Sequence, residues 1–190
     1  MPLRSDTRVA VPLPLAAARP IVRNVPFARQ FLTQWCWAAC IAMVRSATVP
    51  TFKQCEAARL LITSPDPCAG SGSGCTGGPV LGDANPNPQS NRVAPQSRIA
   101  ELWNKALNRT TVQQQGVISK SDLNAALAKG RGHAVQVLWA LGPSKHVGLV
   151  VGRDGDDYLV HDPCEGELVL TYDEIEQVDG VRTWMATFVL

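Results

Sequence analysis

Cysteine and histidine are the residues of this chain whose positions speak most directly of chemistry. The stretch R-Q-F-L-T-Q-W-C-W-A-A-C sets Cys36 after a polar segment and at the head of C-W-A-A-C-I-A-M-V-R, a run apolar almost all round. Such a run reads as a helix buried inside a domain. A thiol at a helix N-terminus faces the positive end of the macrodipole, which favours thiolate, the nucleophilic form. Cys40, one turn later, lacks that position. A nucleophilic cysteine also needs an imidazole base and a group to orient that base. The chain has three histidines, His133, His146 and His161. His146 follows the turn G-P-S-K and opens the strand H-V-G-L-V-V-G, and the next strand ends in V-H-D-P. Two antiparallel strands joined by D-G-D-D would bring Asp162 beside His146 and leave the other ring nitrogen for Cys36. His161, as a rival base, falls on the opposite face from Asp162. Each of these residues also has a plain structural reading: a buried or bridged cysteine, a strand histidine, an Asp-Pro turn.

The elements that must position them follow from periodicity and punctuation. Helices are expected at Cys36 to Arg45, at Lys53 to Ile62 with Thr51 as cap, at Ser97 to Leu107, and from a Ser121 cap to Gly130. After Gly132 the pattern changes to short apolar runs, predicting strands at Ala134 to Trp139, Val147 to Val151, Tyr158 to Val160, Glu167 to Leu170 and Trp184 to Leu190. Helices first and strands afterwards predict an α+β fold, with an antiparallel sheet packed on the central helix. Residues 1–28 carry five prolines and read as a flexible arm, leaving 29–190 as the folded domain. Residues 64–97, rich in Pro, Gly, Ser and Asn, read as one long loop that a disulfide would tie down.

Composition narrows the function classes. The 190 residues carry a formal charge of +2, with 45% hydrophobic and 18% charged residues. Nowhere do basic residues cluster, which argues against a nucleic-acid footprint, and no apolar run is long enough for a membrane span. Val9 to Ala18 imitates a secretory signal weakly, broken by Pro12 and Pro14. The six cysteines lack paired C-x2-C spacings, so neither a zinc site nor another metal or cofactor is expected. With Cys36 kept for chemistry five remain, and Cys55 with either Cys68 or Cys75 is the preferred bridge.

Gln30, C-W-A-A at 36–39, His146 at a strand start and Asp162-Pro163 together resemble the papain-like cysteine peptidases, and W-C-W-A-A-C resembles the bacterial effector proteases of that clan. The helix L-N-A-A-L-A-K-G and the run H-V-G-L-V-V-G-R-D-G-D-D-Y-L-V-H-D-P are similar to bacterial peptidases that trim double-glycine leaders. The resemblance covers Gln30 to Leu190 and implies a papain-like fold. It makes Cys36 the nucleophile, His146 the base and later the acid, and Asp162 the orienter. Papain itself uses Asn there, so Asp162 matches the bacterial branch better. Gln30, six positions before Cys36, has the family's spacing for the oxyanion-stabilising amide, although Gln34 lies nearer. The separation of 110 residues between Cys36 and His146 is short beside the roughly 130–150 of papain-type enzymes, implying trimmed lobes. The resemblance implies hydrolysis of a protein or peptide substrate by a bacterial protein that is secreted or delivered into another cell, with an inhibitor or activating partner unidentified. A deamidase, a peptidoglycan amidase and a non-catalytic binding module remain as alternatives.

Overall fold

The computed structural model describes residues 21–22, 24–69, 88–129, 134–141, 144–178 and 180–190. His133, Cys75, most of the expected arm and the middle of the expected loop lie outside them. The helices are α1 (Cys36–Ser46), α2 (Gln54–Arg59), α3 (Gln96–Leu107), α4 (Lys120–Ala128) and α5 (Tyr172–Glu176). The strands are β1 (Ile21–Val22), β2 (Gln114–Gln115), β3 (Val135–Leu141), β4 (Ser144–Asp154), β5 (Asp157–Asp162), β6 (Gly166–Thr171), β7 (Gln177–Val178) and β8 (Arg182–Val189). They form one antiparallel sheet in the order β2-β8-β3-β4-β5-β6, with β1 added on β4 and β7 on β8. The expected α+β architecture is present.

Strand alternation divides the apolar residues between two faces. Val147, Leu149 and Val151 of β4 face the helical part and meet Ile41, Met43 and Val44 of α1. Burying Ile41 and Met43 fully contributes roughly 2 kcal/mol each. On the other face Val135, Val137, Tyr158 and Val160 pack with Leu123 and Leu127 of α4. Ten of the eleven α1 residues are buried, so this helix is the centre of the helical layer, as its all-round apolar sequence implies.

Several boundaries differ from the sequence reading, each for a local reason. The α2 helix starts after Lys53, not from a Thr51 cap, because the Glu56 carboxylate accepts from the Lys53 N–H at 2.7 Å. The α4 cap is Ser119 and not Ser121, since Ser119 Oγ accepts from Asp122 N three residues on. Ile21 and Val22, placed in the arm, pair with Arg153 and Gly152 of β4. The β4 strand begins at Ser144, so His146 stands inside it, paired with Trp139 of β3. The α5 helix was unread, though Thr171 and Glu174 form a capping box. Strands of two residues, such as β2 and β7, are too short to show a period.

One irregularity decides which side chains can meet. The β4–β5 pairing runs Asp154↔Asp157 to Gly152↔Leu159, then shifts by one residue to Val150↔Val160 and Leu149↔His161. Continuing that register sets Asp162 across from Gly148, on the same face as His146. Without the bulge Asp162 would oppose Leu149, and its side chain would leave by the other face.

Candidate active site

Cys36 is the first residue of α1, whose start has no side-chain cap and no acidic residue in its first turn. The free N–H groups there leave a positive end undisturbed at the thiol. The loop before the helix is fastened by bonds to residues 90–92. Trp35 Nε1 donates to Ser90 O at 2.9 Å, Gln34 N to Asn91 Oδ1 at 2.8 Å and Trp37 Nε1 to Arg92 O at 3.1 Å. The far end of the expected loop 64–97 therefore forms a wall of the site. The bridge is Cys55–Cys68, which ties α2 to the segment after it, beside an Arg59–Asp66 ion pair at 2.8 Å.

Access separates the two cysteines of α1. Cys36 keeps 8% exposure and Cys40 keeps none. Burial, and behind it the nearness of Cys36 and Asp162, push the Cys40 thiol well above the ordinary thiol range. Cys40 is thus a neutral packing residue against the Val147 carbonyl.

On the sheet side His146 Nε2 lies 2.8 Å from Asp162 Oδ1. The same oxygen accepts from Cys164 N at 2.8 Å and Glu165 N at 3.0 Å, and Oδ2 accepts from Arg182 Nη1 at 2.7 Å. Asp162 is fully buried, and these four donors replace the water it has lost. Burial opposes its ionisation, but the His146 hydrogen bond and charge and the two backbone bonds outweigh that and hold it at about 2. Burial likewise opposes charge on His146; hydrogen bonds to Asp162 and then Cys36 outweigh it and raise the ring to about 10. The ring is therefore an imidazolium at neutral pH, with Asp162 on Nε2 and Nδ1 left for Cys36.

Two aromatic contacts fix the ring plane. Trp139 stacks on His146 with centroids 6.2 Å apart and planes 14° apart, and the Arg182 guanidinium lies 5.9 Å from the Trp139 ring. The Trp139 indole N–H is anchored on Ile175 O at 2.8 Å. Gly148 is glycine for a steric reason: a Cβ there would meet the Trp139 ring at 2.8 Å and the His161 carbonyl oxygen at 3.2 Å.

Gln30 is buried beside this turn, its backbone N–H bonded to Pro163 O at 2.8 Å. Its Nε2 donates to Leu32 O at 3.1 Å and Thr33 O at 2.8 Å, and Oε1 has no hydrogen-bond partner among the described residues. Gln54 of α2 clamps the residues on either side, accepting from Phe31 N at 2.8 Å and donating to Arg29 O at 2.5 Å. Arg29 in turn donates to the carbonyls of Cys164 and Glu165. The geometry thus brings Cys36, His146 and Asp162 together, with Gln30 tied to the Asp162 turn. Arg182, Trp139 and Gln54 were missed by the sequence reading. The only available signal was that Arg182 opens a strand that otherwise reads as core.

His161 takes no part in this cluster. It is buried against Phe27, edge to face at 5.5 Å. Glu167 Oε1 comes within 3.2 Å of Nε2 without hydrogen-bond geometry, and neither ring nitrogen is hydrogen-bonded among the described residues. Burial lowers its pKa to about 4, so this histidine is neutral.

Among the described residues no cluster of ligating side chains suits a metal ion, and no helix is long and apolar enough to cross a membrane. Among solved structures, a candidate C39-like peptidase from Bacillus anthracis superposes with a TM-score of 0.56 at 14% identity, over 91% of this chain and 98% of that one. That likeness concerns the fold. Comparison with curated proteins gives no match. The Peptidase_C39-like family matches residues 22–187, a span that takes in the helical layer, the cysteine and nearly all of the histidine sheet; the chain belongs to that family.

Proposed function

We propose that this chain hydrolyses peptide bonds by acyl transfer through Cys36, His146 and Asp162. The observation that carries the reading is the buried Asp162, held by four donors with His146 Nε2 2.8 Å away, on the sheet that faces Cys36 at the head of α1. With the Cys36 proton carried on His146 Nδ1, Sγ attacks the scissile carbonyl carbon as thiolate, and the oxyanion accepts hydrogen bonds from the Cys36 backbone N–H and an amide N–H of Gln30. For that, Gln30 Nε2 gives up one of its two loop carbonyls as substrate enters. Nδ1 of His146 passes its proton to the leaving amine, and the C–N bond breaks to leave a thioester. His146, now neutral, takes a proton from water as the water attacks the thioester, and the carboxylic acid departs as the thiol side is restored. Gln30→Ala lowers kcat/KM by roughly 100-fold, the loss of one oxyanion donor.

The Cys55–Cys68 bridge supports a location outside the reducing cytosol, consistent with a secreted or delivered effector. The experiment that tests the activity is a peptide-library digest comparing wild type with Cys36→Ala, with products weighed by mass spectrometry. Backbone cleavage that vanishes in Cys36→Ala is expected. Deamidated but uncut peptides, or cleavage surviving in Cys36→Ala, would overturn it.

A further inference from the structure

A cavity of about 410 Å³ opens directly beside Cys36, at the seam between the helical part and the sheet. Trp37 and Ile99 from the helices and Leu138 and Val147 from the sheet give it apolar walls, with Gln34, Gln96 and Ser144 as polar lining. At its rim Lys145 of β4 is the only charged residue among the described residues that line it. Its ammonium donates to Gln96 Oε1, the first residue of α3, so the contact spans the mouth from sheet to helix. Gln96 is neutral and leaves the Lys145 charge uncompensated. The nearby Glu101 is engaged by Arg98 and Lys105, and no carboxylate pairs with Lys145 among the described residues. The α3 helix also starts at this rim without a side-chain cap or an acidic residue in its first turn, which adds to the positive potential there.

An open, mainly apolar cleft with one cation at its rim fits a ligand with an aliphatic stem and an anionic head. A pair of glycines would leave it empty. We infer that the cavity selects a peptide with glutamate beside the scissile bond, its methylenes against Trp37 and Val147 and its carboxylate on Lys145. The inference rests on the assignment of Cys36 as nucleophile and extends it to the substrate class. Lys145 acts here as a specificity residue; its neighbour His146 does the chemistry.

The test has two arms, so that pocket and catalysis are judged separately. In the first, wild type cleaves a positional-scanning peptide library in which each residue flanking the cut is Glu, Gln, Leu, Lys or Gly, and kcat/KM is measured. In the second, Cys36→Ala binds the same peptides without turnover. At one position Glu should exceed Gln roughly fivefold in both arms, the size of a partly exposed ion pair, and the advantage should shrink as salt is raised. Lys145→Met should erase the Glu-to-Gln ratio while keeping Leu bound, and Lys145→Glu should turn the preference toward Lys. Ratios between peptides cancel any general effect of the change on His146. A Glu-to-Gln ratio unaltered by Lys145→Met, or a preference for Gly at every position, would overturn the inference. If wild type cut nothing while the binding ratios followed Lys145, the pocket would stand and the catalytic assignment would fall.

Discussion

His146 and His161 sit on neighbouring strands of one sheet, both largely buried, yet at neutral pH one is cationic and the other neutral. Burial acts on both in the same direction, disfavouring the charged ring. Only His146 has a buried carboxylate on one nitrogen and a thiol beside the other. The difference teaches that the charge of a buried ring is set here by partners that survive desolvation, and Asp162 survives because four donors hold it.

The comparison breaks most completely if Asp162 is changed to Asn. His146 should then resemble His161, with its pKa falling below the ordinary imidazole value, and kcat/KM should fall about 10⁴-fold, the loss typical of a triad carboxylate. NMR titration of the ring together with peptide hydrolysis checks both parts. Arg182→Met should come next, leaving Asp162 Oδ2 buried without its cation and costing about 3 kcal/mol in denaturant unfolding.

Stability against pH separates the two histidines by sign. His146 is raised, so its contribution is fully present below pH 6.5 and is lost as pH climbs toward about 10. His161 is lowered, so its contribution is present above pH 6.5 and is lost as pH falls through about 4. Replacing His161 with Phe should remove an acid-side loss of about 3 kcal/mol from the unfolding profile and leave peptide cleavage near wild type. The smallest expected effect is Gly148→Ala, which pushes on the Trp139 ring and should cost roughly 1–3 kcal/mol of stability, with weaker cleavage as the ring over His146 shifts. Melting temperature and kcat measured on one preparation would show both.

Legibility in the sequence followed the range of the interaction. Cys36 announced itself through a local feature, the head of an apolar helix, and His146 and Asp162 through a hairpin spanning sixteen residues. Even there the bulge that puts Asp162 on the correct face left no trace in the pattern, since an extra strand residue changes no composition. Gln30 was legible only through resemblance. Arg182 reaches Asp162 because β8 and β5 belong to one sheet, and Trp139 covers His146 through the β3–β4 register, which apolar alternation alone does not fix. The loop at 90–92 escaped notice for another reason: its bonds to the two tryptophans beside Cys36 are made by backbone carbonyls, which every residue carries. The helix limits slipped by a few positions wherever two cap residues competed, as Ser119 and Ser121 did.

The central claim is that Cys36 is reactive because His146 and Asp162 act on it as a unit. It is tested most directly by labelling the folded protein with a peptide bearing a thiol-reactive electrophile and mapping the adduct by mass spectrometry, in wild type, His146→Ala and Asp162→Asn. The account predicts a single adduct on Cys36 that forms at least 100-fold more slowly in both variants. Labelling of another cysteine in place of Cys36, or equal rates in all three proteins, would contradict it.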